Sequence, residues 1–176
     1  MIKFLISTFL FFLLVTFECG FIHSLPSPFF YAPLVFVCGV YLYQHLNSLV
    51  GAWWIFGLGV WLDFWHLGLV PFETIIYAIT ALLMIFLGQR FFSNRSLYGI
   101  AGNATLSLLF IHFVHLIYFF VVSFNDSLPF LWFSFLGLVF WQIFFQLFLI
   151  TILFFLARKI RSVLKGLLIV PNHEGL

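Results

Sequence analysis

Long apolar runs separated by short polar breaks dominate this chain. The first run covers 4–22 and ends at His23-Ser24-Leu25-Pro26-Ser27-Pro28, where two prolines disfavour helix and predict a short extended loop. The second covers 29–46, with Pro33 in its first turns, where proline is tolerated. Gln44, His45, Asn47 and Ser48 form the next polar patch. A third run follows over 49–69, and Pro71-Phe72-Glu73 opens a fourth over 72–88. The segment from Gly88 to Ser96 carries Gln89, Arg90, Ser93, Asn94, Arg95 and Ser96. Beyond it lie a fifth run over 97–124 and, after Asn125-Asp126-Ser127-Leu128-Pro129, a sixth over 130–157. A basic tail occupies 158–176. Each run reaches roughly the 20 residues needed to cross hydrocarbon as a helix, allowing for tilt. The pattern predicts an all-α integral membrane protein: one transmembrane domain over 1–176, a bundle of about six helices.

The basic residues orient the bundle. With both termini cytoplasmic, Lys3, Arg90, Arg95, Arg158, Lys159, Arg161 and Lys165 all fall inside, as the positive-inside rule requires. Asp63, Glu73 and Asp126 then fall at the opposite face, and Glu18 lies near it. The tail is expected to fix topology and to attract anionic lipid, at about 1 kcal/mol per basic group. The first run lacks a small-x-small cleavage site and is read as a span.

Composition agrees. Hydrophobic residues make up 65% of the chain and charged residues 7%, too few to cover a water-facing surface. The 29 phenylalanines suit lipid contact and interhelical packing. No basic patch fits nucleic acid. Cys19 and Cys38 sit in apolar runs and read as small buried hydrophobes.

Candidate chemistry is confined to the outer helix ends. Glu18, His23, Asp63, His66 and Glu73 fall there, and His112 and His115 lie in the outer half of the fifth run. Asp63 and His66 are three apart, as are His112 and His115, so each pair shares a helix face. A metal or proton site built from Asp63, His66, Glu73, His112 and His115 has suitable ligand types. The favoured reading is that these groups cap helices and bond one another, because no HExxH spacing is present. No metal or cofactor is therefore expected. Asp63 stands apart, deep in the apolar run after Gly57 and Gly59. Those glycines open a notch that a neighbouring helix can enter, and the carboxylate is expected to bond that helix or a loop amide. Gly99 and Gly102 are expected to pack helices. Trp53, Trp54, Trp61 and Trp65 are read as interfacial anchors. A Walker loop and a nucleophile elbow are both missing, so no enzymatic activity is expected.

The order Gly59-Val60-Trp61-Leu62-Asp63, then Leu67-Gly68, then Arg90-Phe91-Phe92-Ser93-Asn94-Arg95-Ser96, closing on Arg158-Lys159-Ile160-Arg161, resembles the rod shape-determining MreD family. The bulky Phe64-Trp65-His66 departs from that pattern. The resemblance implies a non-enzymatic scaffold of the cell-elongation machinery in the bacterial inner membrane. Its implied partners are an MreC-like bitopic protein and, through it, an MreB-like filament and the peptidoglycan synthases. Gly57, Gly59, Asp63 and Gly68 would then serve structure or partner contact. The family is also similar in fold to the substrate-binding subunits of energy-coupling-factor (ECF) transporters. A subunit of that type, capturing a small molecule or metal in a pocket lined by Glu18, Asp63, His66, Glu73 and His112, is the alternative expectation.

Overall fold

The computed structural model describes the backbone of residues 2–66, 70–126 and 132–168, and side chains within 4–66, 70–122 and 132–160. All regular structure among them is helical: α1 (Ile2–Gly20), α2 (Leu34–Leu46), α3 (Val50–Trp65), α4 (Phe72–Arg90), α5 (Leu97–Asp126) and α6 (Trp132–Leu168), with short 3-10 turns at Ile22–Ser24 and Phe29–Tyr31. Lipid offers no partner for a backbone N–H or C=O, so an apolar chain closes its hydrogen bonds within helices. Among the described residues five segments are long and apolar enough to cross a membrane: Phe4–Ser24, Phe29–Leu46, Phe72–Arg90, Leu97–Val122 and Trp132–Ile160. The protein is a multi-pass helical membrane protein.

Three boundaries differ from the sequence expectation. The second run divides, because Pro33 sits at the N-cap of α2 rather than inside its first turns, and the preceding residues form a separate 3-10 turn. The third helix, at 16 residues, ends at Trp65. It is about 24 Å long, short of the roughly 30 Å of hydrocarbon. The sixth continues past residue 157 to Leu168, so the first part of the basic tail is helical.

The centre of the bundle is α2, which touches all five other helices. Val35, Phe36, Val37 and Val40 are buried, and Ile55, Met84, Ile100 and Ile150 from the surrounding helices join the same core. Asn47 ends α2 in the left-handed conformation, at φ 54°, which asparagine tolerates better than most residues. That sharp stop lets α3 begin at Val50 and fold back along α2. The two cross at Gly39 and Gly51. A methyl group on Gly51 would overlap the Gly39 carbonyl oxygen and approach the Tyr43 nitrogen to 2.6 Å. Both neighbours are backbone and cannot rotate away.

At the end of the bundle holding Arg90, the α4–α5 turn is tied to α2. Gln44 Nε2 donates to the carbonyl oxygens of Phe92 (2.6 Å) and Asn94 (3.3 Å), and Gln44 Oε1 accepts from Asn103 Nδ2 at 3.0 Å. Gly99 and Gly102 face this turn, and Gly99 also faces α2, where a Cβ would meet Gln44 Nε2 at 3.3 Å. Their missing side chains admit the Asn94 carbonyl and the Phe92 ring.

Gly51→Val is expected to abolish recovery of monodisperse protein in mild detergent. Gly137→Ala, at a position with nothing within 4 Å, is expected to leave it unchanged. Size-exclusion profiles of the two variants check this.

Candidate functional site

The opposite end of the bundle collects Glu18, Asp63, His66, Glu73 and His115. Asp63 lies in the last turn of α3, and α4 starts beside it with Pro71 at the N-cap. Proline has no side-chain acceptor for the first N–H groups of the helix, and these would be left unsatisfied. Asp63 supplies the acceptors. Its Oδ1 takes the Glu73 N–H at 3.0 Å and its Oδ2 takes the Thr74 N–H at 2.6 Å. The bonds are charge-assisted, and a carboxylate also suits the positive end of the helix dipole.

Gly59 makes this reach possible. It lies one turn before Asp63 on the same face. A Cβ there would meet Tyr77 Cβ at 2.7 Å and the Glu73 carbonyl oxygen at 2.8 Å. Gly57 serves a different neighbour, since a Cβ there would touch the Phe11 ring of α1 at 3.0 Å. The two glycines are thus two notches rather than one. Gly68 lies outside the described residues.

Glu18 repeats the device. It is buried in the last turn of α1, and its Oε2 accepts the Val35 N–H at 2.6 Å, in the first turn of α2. Here too a proline, Pro33, stands at the N-cap. Two helix starts at this end, those of α2 and α4, are therefore held by a carboxylate from the preceding membrane helix.

Glu73 gives its N–H to Asp63 and sends its side chain to α5. His115 Nε2 lies 2.9 Å from Glu73 Oε1, and His115 Nδ1 lies 2.9 Å from the Ile111 carbonyl oxygen. A carbonyl can only accept, so Nδ1 carries a hydrogen. The second contact then needs another proton, on Nε2 or on the carboxyl. Either way the pair holds one proton between two acceptors and ties α4 to α5.

His112 goes elsewhere. Three residues along a helix is a rotation of about 60° from eclipsed, enough to split neighbours between two partners. His112 is buried toward α6, edge-on to the Phe135 ring at 6.1 Å. His66 is exposed and borders, with Asp63, Glu73 and His115, an open cavity of about 510 Å³. Glu18 lines a separate one. Among the described residues no three His, Cys, Asp or Glu side chains are placed to hold a metal ion, and both nitrogens of His115 are engaged. The expected single cluster is thus two sites, and His112 belongs to neither.

The sequence reading overlooked Asn103 and Ser107, fully buried in α5 with Ser107 Oγ 3.5 Å from Asn103 Oδ1, and Gln146, fully buried in α6. Their signal was a four-residue spacing of polar groups, Asn103 with Ser107 and Gln142 with Gln146, inside apolar runs. Trp54 also differs from expectation. It is buried, and its indole N–H donates to Ser7 Oγ at 3.0 Å, so it packs α3 on α1 instead of anchoring at a headgroup.

A double-mutant cycle on Glu73→Gln and His115→Phe, read by unfolding in mixed micelles, is expected to give a coupling of about 1 kcal/mol. Coupling near zero would mean that the contact does not join α4 to α5.

The chain matches no family model, no curated protein and no solved structure.

Proposed function

We propose that this protein is a non-enzymatic membrane scaffold of the MreD type. It acts in the bacterial inner membrane with both termini in the cytoplasm and works through contacts with a single-span, MreC-like partner. The observation that carries the reading is the use of Gly59 and Asp63. Together with Gly68 these residues carry most of the resemblance, and Gly59 and Asp63 are both spent on joining α3 to α4. Glu18 and Glu73 likewise bond neighbouring helices, so the acidic groups serve to hold the bundle.

Two apolar grooves beside Trp53 add support. One, of about 410 Å³ between α3 and α4, is floored by Ala52, Ala78 and Ala81 and walled by Trp53, Phe56 and Leu82. The other, of about 480 Å³, lies between α1 and α3. Small residues that open a lateral groove are how membrane helices approach closely. A single transmembrane helix is the proposed occupant of the first groove. Through it the scaffold would reach an MreB-like filament and the wall synthases.

Affinity purification of the tagged protein in mild detergent, with mass spectrometry of what accompanies it, tests the reading. Recovery of a single-span coiled-coil protein with wall-synthesis enzymes is expected. Ala78→Trp, which fills the groove, should reduce that recovery severalfold at unchanged protein level. Recovery of paired ATPases with a coupling membrane protein would replace the scaffold with an ECF-type transporter subunit.

A further inference from the structure

The cavity beside Glu18 carries a second kind of information. It holds about 150 Å³ and lies below the segment that joins α1 to α2. Glu18 is only 8% exposed. Its carboxylate bonds neutral backbone amides at the start of α2, Val35 N–H among them. Among the described residues no Lys, Arg or His nitrogen lies within 4.0 Å of it. A carboxylate withdrawn from water without a cation is costly, and a cation brought to it is correspondingly well held.

The rest of the wall indicates which cation. Phe30, Tyr31, Phe36 and Tyr77 contribute four aromatic side chains, and Gln142 contributes an amide. The other polar groups of the wall are His23 and Cys19, and among the described residues neither Lys nor Arg lines it. Aromatic faces with a carboxylate are the chemistry that recognises organic ammonium ions, whose charge is spread and weakly hydrated. A bare divalent metal would need several oxygen or nitrogen ligands around it, and no such group of residues is assembled among the described residues. An anion would meet Glu18 at the one helix start nearby. The size is also selective, since an apolar cavity of about 150 Å³ holds benzene, a molecule of about six heavy atoms.

We propose that this cavity is a binding site for a compact organic ammonium ion, with Glu18 as counter-ion and Tyr31 and Tyr77 among the aromatic walls. Bound there, the ion would touch groups from α1, the segment before α2, α4 and α6. It would brace the end of the bundle that Glu18 and Asp63 already hold. The site is independent of the groove assigned to a partner helix.

The test is thermal unfolding of the full chain in detergent, followed by tryptophan fluorescence. Methylammonium, trimethylammonium, tetramethylammonium and tetraethylammonium chlorides are compared with sodium chloride at equal ionic strength. Expected is a saturable rise in Tm with at least one of the three smaller ions and none beyond the sodium control with tetraethylammonium, which exceeds the cavity. Glu18→Gln keeps an acceptor for the Val35 N–H and should fold, but it should lose the saturable shift. Tyr31→Leu, in the connecting segment, should fold and weaken the apparent affinity about fivefold. No shift above sodium with any small ion would overturn the proposal and mark the cavity as a water pocket. An equal shift in wild type and Glu18→Gln would overturn it as well, by showing that the ions act elsewhere.

Discussion

The rest of this bundle depends on where a helix begins when its first residue follows a proline. α4 starts after Pro71, inside or at the edge of hydrocarbon, with N–H groups that nothing in its own first turn can satisfy. Asp63 satisfies two of them from α3. For this the helices must approach closely, and Gly59 allows it at the cost of a side chain. With the Glu73 backbone fixed, its side chain is aimed at His115 and brings in α5. One carboxylate thus sets the spacing of α3 and α4 and the attachment of the next helix.

The two ends of the bundle are held by opposite chemistry. At one end α2 and α4 start and expose donors, and the groups supplied are carboxylates, Glu18 and Asp63. At the other end the groups supplied are amides and a hydroxyl, which donate to carbonyls of α4 and of the turn after it. Asn103 Nδ2 donates to the Met84 carbonyl (3.2 Å), Tyr43 to that of Ile85 (3.1 Å), and Gln44 to the α4–α5 turn. The carboxylates follow from the polarity of the helix, which offers unpaired N–H at its start, whereas Met84 and Ile85 lie inside α4 and their carbonyls accept a second bond there. Neutral amides are the cheaper choice within the bundle, since burying them unpaired costs less than burying an ion. The apolar faces left over form the large exposed surface of α1, α5 and α6, suited to lipid.

Much of this was legible in the sequence, and the illegible part has a physical reason. The helices could be read because hydropathy over about twenty residues is a sum that single residues barely alter. That Asp63 bonds a neighbouring helix followed from a carboxylate beside glycines in an apolar run. Its actual partner, the start of α4, depends on helix packing, which one sequence does not encode locally. The grouping of His112 with His115 failed for the same reason. A three-residue spacing fixes a shared face, but which neighbour each side of that face meets is decided by the arrangement of α4 and α6. Gly39 and Gly51 were hidden because small residues gain meaning only in pairs across helices. The split of the second run at Pro33 was missed because hydropathy does not register where a backbone leaves the helical region.

The central claim is that Asp63 is a helix cap supplied from a neighbouring helix. Hydrogen exchange of the peptide covering the first turn of α4, compared between wild type and Asp63→Ala, tests it most directly. Losing the cap removes acceptors worth about 1–2 kcal/mol, which predicts roughly five- to thirtyfold faster exchange at the Glu73 and Thr74 amides. Protection in the α2 core should be retained. Unchanged exchange at those two amides would contradict the account, because the carboxylate would then be holding nothing that the helix needs.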